Sequence, residues 1–343
     1  MPCLTRLSGW SRLPTRRPTW RSWTGAEVFV LVDNVSDALS SVPEGVASEF
    51  QNLAAAGAES ISGDGFCFAC FGISLLVSGR IGNLVQRVLF DGGPTSLALE
   101  HNVPRLGVDM GGVDAVVLSH GHIDHAGGLP AAIRSISAAK GGQAVPVHVN
   151  PEMFSHRGER LADGRIFPIE DIPSVASLEA AGGAVINAPE ARLLRDKMFY
   201  LSGEIPRITA YEKGIPAQVR RSAETGDWEP DPWVMDERYL AIDLKDKGIM
   251  VFTACSHAGL INVLRDARDR FAPTPLYGVM GGFHLAGKVF EAIIPQTVED
   301  LRAFDLKVIV PGHCTGWRAV HRMVDVFGEA VVVPSAVGRH HAF

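Results

Sequence analysis

One short segment of the sequence concentrates side chains that bind metal ions. It reads His120-Gly-His122-Ile-Asp124-His125, and it holds three of the twelve histidines of the chain. Imidazole and carboxylate groups are the ligands that zinc-class ions prefer. In extended backbone, residues two apart point to the same side, so His120 and His122 can reach one ion together. Asp124 and His125 lie further along, where they can face a second ion.

A catalytic zinc site needs further ligands from elsewhere in the chain. His257, His284 and His313 each follow an apolar stretch and lie close to glycine residues. We predict that His257 and His313 are ligands. For His284, a ligand role and a catalytic role beside the substrate both stay open, and we place it among the catalytic candidates.

Catalytic roles are also predicted for acidic and basic groups near this cluster. Asp124 can bind the second ion or, if that ion is absent, hold the attacking water. Glu204 and Arg207 lie in a segment that we expect to cover the site, and Arg207 can pair bidentately with a phosphate or carboxylate. A surface ion pair is the alternative for each of them. The same two interpretations apply to Tyr211, Glu212 and Arg318.

The five cysteines are irregularly spaced, so no disulfide framework is predicted and a reducing compartment is the simpler interpretation. Cys67 and Cys70 form a Cys-x-x-Cys pair within an apolar and aromatic stretch, which favours buried core cysteines over redox or metal chemistry. Cys255 and Cys314 are sequence neighbours of predicted ligands. We expect them to pack beside the site, with thiolate ligation as the alternative.

These residues lie at the ends of predicted strands. Apolar runs predict strands at 27–33, 65–77, 85–90, 113–119, 146–149, 276–280 and 308–310, and a hairpin from 239–244 and 248–253. Helical patterns lie at 129–139, 260–270 and 298–304. Residues 150–235 are rich in proline, glycine and charge, which predicts long loops with short elements. Because strands alternate with helices, we predict α/β layers with the site at one edge of a sheet.

Composition and charge limit the classes of molecule that the chain is expected to bind. The chain has 343 residues, of which 46% are hydrophobic and 20% charged, which is typical of a globular protein. A formal net charge of −6 and the lack of a basic stripe argue against a nucleic-acid partner. No run of 18 or more apolar residues predicts a transmembrane helix. We expect a small, anionic substrate and a cytoplasmic location, and the sequence does not indicate an oligomeric state.

The first 24 residues differ from the rest, because they contain five arginines and no acidic residue. We predict a basic, disordered N-terminal extension at 1–24 and a single domain at 25–343. The same composition is typical of an organellar transit peptide, which makes organellar targeting an alternative. Pro14 and Pro18 would interrupt the amphipathic helix that such a peptide forms.

The pattern as a whole resembles the metallo-β-lactamase superfamily. The resemblance rests on the histidine segment at 120–125, preceded by Asp91-Gly-Gly, and it covers roughly residues 25–343. The chain is more closely similar to the subgroup of dihydropterin-methyl-ribofuranosylaminobenzene-phosphate synthases and related metallo-β-lactamase-fold hydrolases. That closer similarity rests on the segments 31–34, 203–207, 254–259, 281–285 and 311–316.

The resemblance implies an αββα four-layer sandwich with the metals at one edge. The implied ligands are His120, His122 and His257 for the first metal, and Asp124, His125 and His313 for the second. Asp91 matches an acid that orients a ligand rather than binding metal. In many superfamily members an acid bridges the metals from the segment that here reads Gly281-Gly-Phe-His284, which contains none.

We therefore expect a metal-dependent hydrolase with one or two Zn²⁺ ions, or with Mn²⁺ or Fe in their place. A metal-bound hydroxide would attack an ester, lactone or phosphoester-type small molecule. The resemblance adds a relation to the dihydropterin phosphate synthase activity. The main alternative is a mononuclear iron dioxygenase or another non-hydrolytic metalloenzyme on the same fold. A structural metal module is disfavoured by the complete ligand set, a nuclease by the charge, and a di-iron flavoprotein by the histidine at 122.

Overall fold

A computed structural model describes residues 21–343 of the chain. Its strands are β1 (Gly25–Val32), β2 (Val46–Ala47), β3 (Ser74–Ile81), β4 (Leu84–Phe90), β5 (Ala115–Val117), β6 (Val145–Val149), β7 (Arg157–Arg160), β8 (Ile166–Pro168), β9 (Gly183–Asn187), β10 (Arg192–Leu194), β11 (Phe199–Leu201), β12 (Gln218–Arg221), β13 (Trp228–Pro230), β14 (Leu240–Leu244), β15 (Gly248–Thr253), β16 (Leu276–Gly282), β17 (Val308–Gly312) and β18 (His340–Ala342). Its helices are α1 (Glu49–Ala55), α2 (Ser96–Arg105), α3 (Ile123–Ala126), α4 (Leu129–Ala139), α5 (Val175–Ala180), α6 (Leu260–Phe271), α7 (Lys288–Glu291), α8 (Ile294–Leu301) and α9 (Trp317–Phe327).

Two large sheets stack face to face. The first has the strand order β2-β18-β1-β3-β4-β5-β6-β9, and the second has the order β10-β11-β14-β15-β16-β17. The strands β4, β5, β6 and β9 are parallel to one another, as are β15, β16 and β17. Because parallel strands end at the same edge of a sheet, the loops that follow them are brought together there.

Alternation along the strands divides the core into layers. In β3, Leu75 and Val77 point into the space between the two sheets, whereas Leu76 points to the outer face. In β15, Met250 faces the other sheet and Val251 faces outward. This is the period of two expected for a strand that is buried on both faces.

Helices cover both outer faces. Leu99 of α2 and Ile133 of α4 pack on the first sheet, and Leu264 of α6, Val298 of α8 and Met323 of α9 pack on the second. The molecule is therefore an αββα four-layer sandwich, and the predicted fold class is confirmed.

The predicted strand at 65–77 is wrong in its first half, since β3 begins at Ser74. The backbone N–H of Cys67 donates to Glu49 Oε1 at 2.6 Å, and that of Phe68 donates to Asn102 Oδ1 at 2.7 Å. Side chains of α1 and α2 thus satisfy amides that a neighbouring strand would otherwise satisfy. Cys67 is nevertheless buried in the core, and Cys70 packs against it.

The segment 150–235 contains short elements, as predicted, but four of them form a third sheet. Its strand order is β13-β12-β7-β8. The sequence pattern does not predict α2 or α9. The helix predicted at 298–304 is α8 followed by a 3₁₀ turn at Arg302–Phe304. The hairpin of β14 and β15, and the helices α4 and α6, agree with prediction.

The N-terminal prediction falls largely outside the described residues, which begin at 21. Trp23 precedes the predicted domain start and is fully buried. Its Nε1 donates to the backbone oxygen of Met198 at 2.9 Å, and its ring packs on Phe199. No helix in the range 21–343 is both long and apolar enough to cross a bilayer.

Candidate metal centre

The six predicted metal ligands converge where central strands end. The segment that carries His120 and His122 follows β5, while Asp124 and His125 lie on the short helix α3. His257 follows β15 and His313 follows β17.

The backbone is unusual at these strand ends. Asp91, Ser256, His284 and His313 all have positive φ, at 63°, 55°, 47° and 47°. Side-chain-bearing residues adopt this left-handed conformation rarely, and it concentrates at functional sites because the surrounding structure must enforce it. The turns therefore aim side chains into the space at the sheet edge.

The first set of ligand atoms is tightly packed. The Nε2 atom of His120 lies 3.0 Å from Nδ1 of His122 and 3.0 Å from Nε2 of His257. All three imidazoles are buried. Their ligand atoms lie within 4.8 Å of one another, which is the spacing of a group that could hold one ion.

The second set lies beside the first. Asp124 Oδ2 is 3.5 Å from Nε2 of His125 and 3.4 Å from Nε2 of His313. These three residues form another group whose ligand atoms lie within 4.8 Å. The imidazole rings of His120 and His125 are only 4.2 Å apart between centroids, so the two sets are neighbours.

The hydrogen-bond network identifies the proton position on His122. Gln218 directs its amide N–H groups at Asp231, 3.2 Å from both the backbone oxygen and Oδ2. Its Oε1 therefore faces Nε2 of His122 at 2.8 Å and accepts a hydrogen bond from Nε2–H. A neutral His122 that is protonated at Nε2 presents an unprotonated Nδ1 to the site.

The same reasoning applies to His120. The Ser119 hydroxyl donates to Asp91 Oδ2 at 2.7 Å, so it accepts from Nδ1–H of His120 at 2.9 Å. Nε2 of His120 is then unprotonated and points at the unprotonated Nδ1 of His122. Two lone pairs 3.0 Å apart in a buried site repel each other, and a cation between them removes that repulsion.

The second set is surrounded by carboxylates. His125 Nδ1 contacts Asp91 Oδ2 at 2.7 Å and donates to it, and its Nε2 faces the Asp124 carboxylate. Neither ring nitrogen of His313 has a hydrogen-bond partner, although the residue is buried. Buried polar atoms without partners are rare in folded proteins, and an ion is one of the groups that satisfy them.

The electrostatics separate the first set from His125. Burial, followed by neighbouring histidines, lowers the pKa of His120 and His257 well below the usual range. Burial and then Arg157 lower the pKa of His122 to about 4. Burial also opposes protonation of His125, but Asp124 and Asp91 outweigh it and raise its pKa to about 9. The imidazoles of the first set therefore stay neutral, whereas Asp124 and Asp91 stabilise a positive charge at the second set.

Comparison with known proteins agrees with this arrangement. Residues 86–189, which include Asp91 and the histidine segment, match the metallo-beta-lactamase superfamily. The chain is 31% identical over 259 residues to the uncharacterized protein MJ0448 of Methanocaldococcus jannaschii, covering 75% of this chain and 88% of that protein. The chain belongs to the metallo-beta-lactamase superfamily.

Two further proteins are similar over most of this chain. The 7,8-dihydropterin-6-methyl-4-(beta-D-ribofuranosyl)-aminobenzene-5'-phosphate synthase of Methanocaldococcus jannaschii is 27% identical over 261 residues, covering 75% of this chain and 85% of the synthase. The crystal structure of Tm1679, described as a metal-dependent hydrolase of the beta-lactamase superfamily, shares the fold. It has a TM-score of 0.65 at 23% identity and covers 92% of this chain and 98% of that one. The predicted subgroup resemblance is confirmed.

In this superfamily member, further buried polar side chains donate or accept hydrogen bonds at the candidate ligands and their loops. The sequence pattern does not identify them as part of the site. Glu237 accepts the backbone N–H groups of His257 and Ala258, at 2.7 and 2.6 Å. Asp33 Oδ1 accepts the backbone N–H of His313 at 3.2 Å. Gln218 belongs with them. Each is a single polar residue without diagnostic spacing, so the sequence offered no signal for Glu237 or Gln218, while Asp33 lay in a segment noted only for its resemblance.

The structure does not bring Arg207 or Glu204 into the cluster. The Arg207 guanidinium donates to the backbone oxygens of Trp233 and Val234, at 2.8 and 2.9 Å, and also to that of Ile205. With these donors occupied by its own chain, it is not positioned to pair bidentately with a substrate anion. Glu204 is exposed, and its charge acts on Arg207. The anion clamp predicted for Arg207 is therefore not supported, because tertiary contacts take its hydrogen bonds.

Three other candidates make structural contacts. Glu212 accepts the N–H groups of Ile261 and Asn262, at 2.8 and 3.0 Å, and so satisfies the N-terminus of α6. The Tyr211 hydroxyl donates to Asp300 at 2.9 Å. Arg318 forms an exposed ion pair at 3.3 Å, which corresponds to the surface alternative.

His284 lies beside the cluster and is half-buried. Its ring centroid is 4.5 Å from that of His257, and its Nδ1 is 3.3 Å from Cys255 Sγ. A cleft opens over His257 and His284. Among the described residues, its remaining walls include Lys213, Leu285, Val289, Phe290 and Ile293.

Proposed function

We propose that this chain is a metal-dependent hydrolase with a two-metal centre, acting on an ester, lactone or phosphoester bond of a small molecule. The observation that carries the proposal is the convergence of unprotonated ring nitrogens on one point, with His120 Nε2 3.0 Å from His122 Nδ1. Without a cation this arrangement is repulsive, whereas with one it is a ligand set.

The ligands divide into two groups. His120, His122 and His257 would hold the first ion, and Asp124, His125 and His313 the second. Nitrogen donors with one carboxylate oxygen suit Zn²⁺, while Mn²⁺ and Fe are the alternatives. When bound, such an ion lowers the pKa of water toward neutrality and polarises the oxygen of the group under attack.

The chain itself contributes rigidity. Asp91 fixes His125 directly and His120 through Ser119, and Gln218 fixes His122. Hydrogen bonds of this type set the tautomer and orientation of a metal-binding histidine and strengthen it as a ligand. The backbone bonds to Glu237 hold the loop of His257 in the same way.

The cleft supports the class of substrate. Leu285 and Phe290 give it an apolar wall, and the exposed Lys213 places a cation near its mouth. This combination suits a small molecule with an apolar or aromatic body and an anionic group, with His284 positioned to contact it. The name of the similar synthase includes a 5'-phosphate, which agrees with an anionic group.

Metal analysis together with a substrate panel tests the proposal. The protein is purified without added metal, its metals are measured by elemental mass spectrometry, and hydrolysis of an ester, a lactone and a phosphodiester is assayed. We expect about two equivalents of zinc or manganese, and turnover of one class that is lost in His122→Ala. His156→Ala, at an exposed histidine, is the matched control and should leave both unchanged.

A different metal content would contradict the proposal. About one equivalent of iron without hydrolysis would replace this proposal with the dioxygenase alternative.

A further inference from the structure

The end of β16 has no room for an acidic ligand. The segment reads Gly281-Gly-Phe-His284, and a Cβ on Gly282 would lie 2.3 Å from Ala254 O and 2.8 Å from Cys314 Sγ. Contacts under 3.0 Å are not tolerated against backbone atoms. A carboxylate at position 282 therefore cannot reach the centre, and the side-chain atom nearest to this position is Cys314 Sγ.

Cys255 is the sulfur atom that reaches both ligand sets. Its Sγ forms one group with His120 and His125, a second with His257 and His284, and a third with His313 and Cys314. Within each group, the ligand atoms lie within 4.8 Å of one another. Ligands of one zinc-class ion lie up to about 4.5 Å apart, because each is about 2.0–2.3 Å from the metal.

The surroundings of Cys255 favour a ligand over a packing residue. The side chain is buried, and its Sγ lies 3.3 Å from His284 Nδ1 and 3.0 Å from Cys314 Sγ. The sulfur thus contacts an imidazole and a second thiol. Thiolate is a strong ligand for zinc-class ions, and binding releases the thiol proton.

We propose that Cys255 is a metal ligand shared between the two metal positions, an inference that rests on the proposed two-metal centre. It makes the centre selective for thiophilic ions such as Zn²⁺, Co²⁺ and Fe²⁺ over Mn²⁺. Cys314 belongs to only one of the three groups, the one that contains His313, and its Sγ contacts that of Cys255. The sequence pattern favours packing beside the site for both cysteines, with thiolate ligation as the alternative.

Cobalt substitution tests the assignment without an activity assay. Metal-free protein is titrated with Co²⁺ under reducing, oxygen-free conditions. The visible d–d bands report occupancy of the centre, and a near-ultraviolet thiolate-to-cobalt charge-transfer band reports a sulfur ligand. We expect wild-type protein to show both signals. Cys255→Ser should keep the d–d bands and lose the charge-transfer band.

Two matched variants complete the experiment. Cys70→Ser, at a cysteine outside every ligand group, should retain the charge-transfer band, and Cys314→Ser should also retain it. In competition with Mn²⁺, Cys255→Ser should lose preference for Zn²⁺ by at least about tenfold. Wild-type protein supplies the first readout, so the test stands even if Cys255→Ser does not fold.

Each contrary outcome has a distinct meaning. Cobalt d–d bands without a charge-transfer band in wild-type protein would overturn the sulfur ligand and leave the two-metal hydrolase intact. Loss of the band only in Cys314→Ser would overturn the assignment to Cys255. No cobalt binding by wild-type protein would overturn the metal centre itself, and the ligand role of Cys255 with it.

Discussion

At the scale of single residues, hydrogen bonds decide which ring nitrogens of the candidate ligands are available to an ion. Gln218 accepts a hydrogen bond from Nε2–H of His122, and Ser119 accepts one from Nδ1–H of His120. The opposite nitrogens are then free to bind an ion. A histidine that lacks such a partner changes tautomer freely and is a weaker ligand.

Replacing Gln218 should therefore weaken the centre without removing a ligand. In Gln218→Leu, Nε2–H of His122 loses its acceptor, and we expect metal affinity to fall about 10–100-fold. Competition with a chromophoric chelator measures the affinity.

Gln143→Leu is the matched control, because that residue is exposed and remote from the cluster. It should bind metal as the wild type does. If Gln218→Leu also retains wild-type affinity, the orienting role of Gln218 is wrong.

At the scale of elements, Arg157 connects the small third sheet to the loop that carries His120 and His122. Arg157 of β7 donates to the backbone oxygen of Gly121 at 3.0 Å and forms buried ion pairs with Asp231, at 3.0 Å, and with Asp236. Asp236 in turn accepts the Gly121 N–H at 2.8 Å. Gly121 lies between two predicted ligands, and a Cβ there would approach Met153 O to 2.1 Å.

Arg157→Met should destabilise the protein strongly, because it leaves two buried carboxylates without their cation. We expect the free energy of unfolding to fall by about 3–5 kcal/mol. Urea denaturation followed by circular dichroism measures the change.

Arg160→Met tests the same substitution on the same strand at an exposed position, where the expected change is within about 0.5 kcal/mol. Equal stability of the two variants would show that Arg157 does not hold the third sheet against the loop.

At the scale of the whole molecule, the four layers bury titratable groups far from the candidate metal centre. His341 of β18 pairs with β1 and is fully buried. Burial, followed by Arg339 and His340, lowers its pKa to about 3. The folded state therefore keeps this imidazole neutral at pH values where the unfolded chain, with a pKa near 6.5, takes up a proton.

This difference predicts that stability falls with acid. Below about pH 6.5 the unfolded state binds one more proton than the folded state, so the free energy of unfolding decreases as pH falls, by up to about 1.4 kcal/mol per pH unit. In His341→Leu the loss between about pH 7.5 and about pH 5 should be smaller by about 2 kcal/mol.

Urea denaturation at the two pH values measures that difference. His156→Leu, which removes an exposed histidine, should retain the wild-type pH dependence. If His341→Leu behaves in the same way, the buried neutral state of His341 is not the cause.

The sequence by itself determined the α/β class and indicated six candidate ligands. Alternation along strands and strand–helix order depend on local periodicity, which is why α/β layers, α4, α6 and the β14–β15 hairpin could be predicted. The αββα sandwich was implied by the family resemblance. The histidine segment was also visible, since its ligand types are close in sequence. His257 and His313 were found because strand ends meet at one edge.

The tertiary structure alone decided which polar side chains contact the candidate site and which form hydrogen bonds that stabilise the fold. Arg207 and Glu212 had the right chemistry for a substrate contact, but distant backbone groups take their hydrogen bonds. Gln218 and Glu237 reach the candidate ligands only through contacts across 20 or more residues. Such contacts depend on how the layers pack, and no local pattern in the sequence encodes them.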